Sequence, residues 1–200
     1  MIFRPHIVDN FLSNSDFIEL TNNILPKPVG VNEITNFIWM YANKQVPSEN
    51  EQDRFKNVTD IELSNPIHQW FLSHLLWEGG YRSRAIHYFD VLLDKIEPLA
   101  VHRDQANFTV QQEKRGRSLF HIDYKGEPFK FTSMITSIFY INTTNGPTVL
   151  EDGTEIECRA NRLVSFPYNT YHAGVLCTDQ PYRIVINLNY FKDMIINVTE

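Results

Sequence analysis

The chain has 200 residues, of which 42% are hydrophobic and 21% are charged. This balance suits one globular domain with a sizeable apolar core and excludes disordered and collagen-like chains. The 18 basic and 24 acidic residues give a formal net charge of −6. The chain therefore lacks the excess of Lys and Arg that follows a phosphate backbone, and we expect no nucleic-acid partner.

The sequence carries neither a secretory signal pattern nor an apolar run long enough to span a bilayer. We therefore expect a cytoplasmic protein that does not enter a membrane. Its two cysteines, Cys158 and Cys177, have no CxxC spacing, which predicts reduced thiols rather than a disulfide or a metal-binding pair.

The first hundred residues mostly carry helical periodicity. Three helices are predicted, over residues 13–25, 66–77 and 83–97. The first begins at a Ser/Asp-rich cap, and the second begins with proline in its first turn. Gly79 and Gly80 are interpreted as the end of the second helix.

After Pro98 the period of the apolar residues changes from helical to alternating, and turn dipeptides such as Asn145-Gly146 separate short runs. Eight strands are predicted, over residues 105–112, 118–123, 133–142, 147–151, 154–158, 162–166, 171–176 and 182–191. This pattern predicts an α+β, mainly β chain with a two-sheet jelly-roll (double-stranded β-helix) core. We expect a single domain over residues 1–200, in which helices of residues 1–100 buttress a core of residues 101–191.

A cluster of metal-ligand types lies in the β half. Residues two apart on a strand face the same side, so His121 and Asp123 converge. His172 begins another predicted strand and would supply a third ligand in a closed sandwich. Two imidazoles and one carboxylate form the facial triad of non-haem Fe(II) oxygenases, which leaves coordination positions open. The alternative is that each histidine is an ordinary packed or exposed strand residue.

Arg183 lies inside an apolar strand, 11 residues after His172. The polar loop of residues 178–181 would fold the last two strands into a hairpin, which places Arg183 on the same sheet face as the triad. A buried guanidinium is costly unless it meets an anion that accepts paired hydrogen bonds. An internal ion pair with Asp or Glu is the alternative.

With these residues the chain resembles the 2-oxoglutarate- and Fe(II)-dependent oxygenases, specifically their prolyl-4-hydroxylase-like branch. The resemblance covers residues 100–191 and, less specifically, residues 7–12. It implies that His121, Asp123 and His172 bind iron and act in catalysis through the metal.

The same resemblance implies a co-substrate site. An Arg or Lys beyond the distal histidine holds the far carboxylate of 2-oxoglutarate in this family, and Arg183 falls on that position. Tyr140 matches a family tyrosine that contacts the same carboxylate, with a packed aromatic as the alternative. Strand parity places Asn107, Thr109 and Gln111 on one face, and Arg183, Val185, Asn187 and Asn189 on one face, so their polar side chains are candidates for the pocket wall, with a solvated outer face as the alternative for the first set. Asn187 is also a candidate for co-substrate binding.

One segment of this chain departs from the family pattern, and two others carry a further resemblance. Asn145-Gly146-Pro147-Thr148 stands where the family usually has Gly-Gly-Glu/Thr, so the loop over the site departs from it. Residues 105–109 and 160–167 resemble uncharacterised oxygenases of tailed phages, which implies the host cytoplasm if the protein is phage-encoded.

The resemblance implies a dioxygenase that converts 2-oxoglutarate to succinate and CO2 while it hydroxylates a substrate C–H bond. It implies Fe(II), 2-oxoglutarate and O2, with ascorbate as a supporting reductant. Asp123 favours hydroxylation, because halide-transferring relatives lack this carboxylate. The preferred partner is a peptide or protein with a prolyl-type target, and small metabolites and nucleobases are alternatives. A non-catalytic jelly-roll module that binds a ligand, or a cupin-like metalloenzyme, are the rival classes, and the sequence does not indicate the oligomeric state.

Overall fold

A computed structural model describes residues 4–25, 37, 39–42, 55–64, 71–124 and 133–192. Its helices are α1 (Asn14–Ile24), a 3-10 helix (Arg84–Phe89) and α2 (Asp90–Ile96). Its strands are β1 (His6–Val8), β2 (Met40–Ala42), β3 (Phe71–Glu78), β4 (Tyr81–Arg82), β5 (Ala100–Val110), β6 (Ser133–Tyr140), β7 (Thr144–Leu150), β8 (Glu155–Cys158), β9 (Arg162–Pro167), β10 (His172–Gly174) and β11 (Tyr182–Lys192). The mainly β class predicted from the sequence is confirmed.

The strands form two antiparallel sheets. The larger sheet has eight strands in the order β1-β9-β6-β11-β5-β3-β2, with β4 paired to β3, and the smaller sheet has the order β10-β7-β8. Apolar side chains from both sheets pack together between them, among them Ile138 and Val185 of the large sheet and Leu150 and Ile156 of the small one. The inward faces of the two sheets therefore share one interior.

The helices cover the other face of the large sheet. Ser13 caps α1 by accepting a hydrogen bond from the Asp16 backbone N–H at 3.2 Å. Buried residues of α1, the 3-10 helix and α2 pack with alternate residues of β5, β6 and β11 in the largest apolar cluster. The buttressing role predicted for the helices matches this layer, and the helices predicted over residues 13–25 and 83–97 are present.

The helix predicted over residues 66–77 is wrong, because residues 71–78 form β3. Residues 65–70 lie outside the described part of the chain. A continuous apolar run fits a buried strand as well as a helix, and pairing with β5 and β2 decides for the strand. Gly79 and Gly80 have φ of 54° and 93° and form the two-residue turn that joins β3 to β4 rather than a helix end.

Two further expectations need correction. The described part of the first hundred residues is not mostly helical, since it includes β1, β2, β3 and β4 as well as the helices. The strand predicted over residues 118–123 is not a regular strand: His121 within it forms one isolated bridge, and Arg117 just before it forms two. The other seven predicted strands correspond to strands β5 to β11.

Asp104 is a buried carboxyl on the helix-covered face of β5, opposite Leu188 of β11. Neither of its oxygens has a hydrogen-bond partner among the described residues. Removal from water raises the pKa of Asp104 to about 7. The folded protein thus retains a proton that the unfolded chain loses above pH 3.8. This group therefore makes the protein less stable as the pH rises from about 4 to about 7.

Replacing Asp104 by Asn should remove that pH dependence. We expect the stability of Asp104→Asn relative to the parent to rise by roughly 2–3 kcal/mol between pH 5 and pH 8, measured by urea unfolding. Asp94→Asn, at an exposed position of α2, is the control and should preserve the parental pH slope. A pH slope unchanged in Asp104→Asn would contradict a buried, protonated Asp104.

Candidate metal centre

His121 and His172 lie side by side because their backbones pair. Each residue donates its backbone N–H to the carbonyl of the other, with both N···O distances at 3.0 Å. Their ring centroids are 4.6 Å apart. The convergence expected from the sequence therefore arises from this two-residue bridge, although the segment around His121 is not a regular strand.

Backbone carbonyls fix the tautomer of both imidazoles. His121 Nδ1 lies 3.0 Å from the carbonyl of Leu119, and His172 Nδ1 lies 3.1 Å from that of Thr170. A carbonyl oxygen only accepts, so each Nδ1 carries the hydrogen and each neutral ring keeps its lone pair on Nε2. His172 Nε2 is buried without a hydrogen-bond partner.

Asp123 faces both of these Nε2 atoms. Its Oδ1 lies 3.7 Å from Nε2 of His121 and 3.8 Å from Nε2 of His172. Burial by itself raises the pKa of Asp123, but the two imidazoles, a hydrogen bond from Asn189 and the charge of Arg103 outweigh burial and lower that pKa. The carboxylate form is therefore the one that faces the histidines.

The three side chains are arranged around a point that one metal ion could occupy. Their ligand atoms all lie within 4.8 Å of one another, so the widest of these separations would shorten slightly when an ion binds. Metal bonds of about 2.0–2.2 Å allow two ligands of one ion to lie at most about 4 Å apart, so the carboxylate–imidazole separations suit shared coordination and are too long for hydrogen bonds. The unpartnered His172 Nε2 is the buried polar atom that such an ion would satisfy.

Asn189 holds the other oxygen of this carboxylate. Its Nδ2 donates to Asp123 Oδ2 at 3.2 Å, and its Oδ1 accepts from the Thr136 hydroxyl at 3.3 Å. Asn189 and Thr136 are directly opposite each other on β11 and β6, and both are buried. These two hydrogen bonds orient Asp123 so that its Oδ1 faces the histidines.

Arg183 lies in the same interior, buried on β11. Its Nε donates to the carbonyl of Gly146 at 2.8 Å, and its Nη2 donates to Thr148 Oγ1 at 3.1 Å. Within the described residues no carboxylate forms an ion pair with Arg183. The internal ion pair considered from the sequence is thus absent from this part of the chain.

Tyr140 and Thr148 complete a group of donors around this guanidinium. Arg183 Cζ lies 5.7 Å from the centre of the Tyr140 ring, and the Tyr140 hydroxyl donates to Thr148 Oγ1 at 2.8 Å. Burial raises the pKa of Tyr140 to about 12, so the phenol stays protonated at neutral pH. Thr148 Oγ1 accepts from both neighbours, which leaves its own O–H free to donate to a ligand.

The segment that departs from the family pattern is ordered strand rather than an open loop. Residues 144–150 form β7, and a Cβ on Gly146 would lie 2.4 Å from the carbonyl oxygen of Val175. Only glycine fits there, and its carbonyl binds Arg183. Thr148 of the same strand was not predicted as a functional residue, because no pattern in the sequence indicates its contact with Arg183.

The donor group and the triad are close along the small sheet. In the pairing of β7 with β10, Thr148 is opposite Gly174, and Leu150 is opposite His172. Thr148 and His172 therefore lie two residues apart along the paired strands and face the same interior. Two residues of strand correspond to about 6.6–6.8 Å. An anion held by Arg183 and Thr148 would therefore reach toward the metal ligands.

Asn187, which was predicted to bind the co-substrate, does not contact the group around Arg183. Its neighbours across the strands are Gln105 and Ile138, and no hydrogen bond joins it to Arg183 or Tyr140. Its Oδ1 is buried without a partner. Asn187 therefore lines the interior between the two groups, whereas Asn189, two residues further on, is the amide that contacts the metal-ligand set.

The chain is similar to solved structures of 2-oxoglutarate-dependent enzymes. A prolyl hydroxylase of Trichoplax adhaerens, in complex with a peptide of hypoxia inducible factor, is 17% identical over 94% of this chain and 83% of that chain, with a TM-score of 0.56. The viral collagen prolyl hydroxylase of Paramecium bursaria Chlorella virus-1, in complex with 2-oxoglutarate, is 13% identical over 94% of both chains, with a TM-score of 0.53. An α-ketoglutarate-dependent epimerase of nogalamycin biosynthesis is 11% identical over 94% and 77%, with a TM-score of 0.55.

At these identities the likeness shows a shared fold. No family model and no curated protein matches the chain. The similarity to tailed-phage sequences therefore stays a prediction. Among the helices of the described residues, none is long and apolar enough to cross a bilayer, and both cysteines are free thiols buried in the fold.

Loss of the Asn189 amide should weaken metal binding. We expect Asn189→Ala to bind Mn(II) about 10–100-fold more weakly than the parent in calorimetric titrations, because Asp123 would lose the contact that orients it. Thr136→Val, which removes only the support of Asn189, should give a smaller loss in the same direction.

Asn187→Ala is the matched control, since it removes an amide from the same strand face that does not contact Asp123. Its Mn(II) affinity should stay within about twofold of the parent. Equal losses in Asn187→Ala and Asn189→Ala would show that the amide of Asn189 has no particular role.

Proposed function

We propose that this protein is an Fe(II)- and 2-oxoglutarate-dependent oxygenase with a jelly-roll core, which hydroxylates a C–H bond of a peptidyl, prolyl-type substrate. The observation that carries the proposal is Arg183, a buried guanidinium with no acidic partner in the described chain. It lies beside Thr148, which is two residues in register from His172 of the triad. This arrangement suits a small molecule with a carboxylate at one end and metal-binding oxygens at the other.

His121, Asp123 and His172 would hold Fe(II), with both imidazoles already presenting Nε2 lone pairs. Bound iron, with O2 and 2-oxoglutarate, supplies the oxidative decarboxylation that yields succinate and CO2 and oxidises the substrate carbon. The protein contributes the orientation of Asp123 through Asn189 and an interior lined by packed side chains. Asp123 also supports hydroxylation rather than halide transfer, and ascorbate stays a predicted reductant.

Arg183, Tyr140 and Thr148 would bind the far carboxylate of 2-oxoglutarate. Arg183 supplies charge, and the Thr148 hydroxyl supplies a directed donor whose position is fixed by the hydrogen bonds it accepts from Tyr140 and Arg183. A purely structural module would gain nothing from this group, because a buried unpaired guanidinium destabilises a fold that has no anion to offer it. This cost argues against the non-catalytic alternative.

Replacing Arg183 should weaken co-substrate binding selectively. Charge-assisted hydrogen bonds contribute about 1.5–3 kcal/mol, so Arg183→Met should bind 2-oxoglutarate roughly 10–150-fold more weakly in calorimetric titrations. Its Mn(II) affinity should stay close to that of the parent. Arg162→Met is the control, because Arg162 is equally buried but is already bound to Asp9. If both arginine variants kept parental 2-oxoglutarate affinity, the co-substrate assignment would be wrong.

The substrate class is tested by turnover. Two of the structures that share the fold are prolyl hydroxylases, which favours a peptide, and the fold shared with an epimerase of nogalamycin biosynthesis keeps a small molecule as the second candidate. The acidic net charge disfavours nucleic acid.

Iron-loaded protein should release succinate and add one oxygen atom to proline-containing peptides, and His172→Ala should do neither. Single-stranded DNA at low ionic strength, where charge-driven binding is strongest, and a pool of small metabolites are the comparison substrates. Oxidation of DNA or metabolites with none of peptide would contradict the peptidyl assignment while supporting the oxygenase.

A further inference from the structure

A row of polar side chains lies on the inward face of β5, outside the metal and co-substrate groups. Arg103 Nη2 donates to Gln105 Oε1, and Gln105 Nε2 donates to Asn107 Oδ1 at 2.8 Å. The three residues alternate along one strand, so their side chains share a face. We call Arg103, Gln105 and Asn107 the donor row.

The direction of this row follows from arginine chemistry. A guanidinium only donates, so the Gln105 oxygen must face Arg103 and the Gln105 nitrogen must face Asn107. Asn107 therefore accepts through its oxygen and presents its NH2 group outward. The groups of the row that bond to no described residue are Arg103 Nη1, the second N–H of Gln105 and both N–H groups of Asn107. All of these groups are donors, and the acceptor capacity left in the row is the second lone pair of each amide oxygen.

The donor row runs beside the proposed catalytic centre. Arg103 lies directly opposite Asn189, which holds Asp123, and Gln105 lies opposite Asn187. The charge of Arg103 contributes to lowering the pKa of Asp123. The Arg103 side chain is 33% exposed, and Asn107 is half-buried. A ligand at the metal could therefore extend along the row.

Among the described residues Arg103 forms one ion pair, with Glu78, and that contact is exchangeable. Glu78 Oε1 lies 3.3 Å from Arg103 Nε, and the Glu78 side chain is 47% exposed. Ion pairs this accessible to water contribute little to stability. A ligand carboxylate could accept hydrogen bonds from Arg103 Nη1 without displacing a strong internal ion pair.

We propose that the donor row binds an extended peptide segment through its carbonyl oxygens and an acidic side chain, with the acidic group at Arg103. This rests on the proposed function and specifies its substrate class. Carbonyl groups that face one way in an extended peptide recur every second residue, about 6.6–6.8 Å apart. Residues of the row are spaced in the same way along β5, so successive carbonyls can meet successive donors.

The test uses the full chain with Mn(II) and 2-oxoglutarate under anaerobic conditions, so that binding is measured without turnover. The probes are capped nine-residue peptides with a central proline in an alanine background. Glu, Gln or Lys is placed in turn at each other position, and the peptides compete with a fluorescent parent peptide in anisotropy titrations.

We expect at least one position at which Glu binds about tenfold or more tightly than Lys, with Gln between them. Arg103→Met should abolish this preference, and Arg103→Lys should retain part of it because the charge remains. Asn107→Leu should weaken all peptides similarly. Arg84→Met removes an exposed arginine on the far side of the large sheet and should preserve the preference.

Peptide affinities that ignore charge, a preference that survives in Arg103→Met, or no competition by any peptide would overturn the proposal. Titration of Mn(II) and 2-oxoglutarate on the same protein separates this outcome from failure of the proposed function. If both bind and the charge preference is absent, only the role of the donor row is wrong. If neither binds, the oxygenase assignment itself fails.

Discussion

The buried guanidinium of Arg183 is the constraint around which the interior is organised. A positive charge removed from water must be compensated, and here the described chain supplies only neutral acceptors. Those acceptors come from β7, where Gly146 offers its carbonyl and Thr148 its hydroxyl, while Tyr140 of β6 packs on the charge. The Arg183 contacts thus join the two sheets, and the proposed anion site lies between them.

The candidate metal ligands His121, Asp123 and His172 are each oriented by a hydrogen bond to a group outside the set. Backbone carbonyls fix the two imidazole tautomers, and Asn189 fixes the carboxylate of Asp123. Such outer contacts set which lone pairs face the ion. Asn189 belongs to the large sheet, whose opposite face packs against the helices. A polar interior can therefore persist beside an extensive apolar core.

The sequence predicts the β half well, since alternation and turn dipeptides are local signals. The sequence-based prediction fails at β3, because apolar residues on both faces of this strand give no period that distinguishes a strand from a helix. Pairing with neighbouring strands makes this segment a strand. Strand parity made His121, Asp123 and His172 candidates for one site, and the buried position expected for Arg183 strengthened that interpretation. The contacts of Asn189 and Thr148 depend on strand register between distant segments, which no single-sequence pattern contains. For Asn187, strand parity correctly predicted a side chain that faces the interior, but it did not predict which residues that side chain contacts.

The central claim is that one small dicarboxylate spans from Arg183 to the His121, Asp123 and His172 set. A crystal structure of the protein with Mn(II) and 2-oxoglutarate, prepared without oxygen, tests it most directly. We predict one metal ion bound by the three side chains, and one 2-oxoglutarate molecule at that ion whose far carboxylate contacts Arg183 and Thr148. A metal bound elsewhere, or 2-oxoglutarate bound away from Arg183 while the metal site is filled, would contradict it.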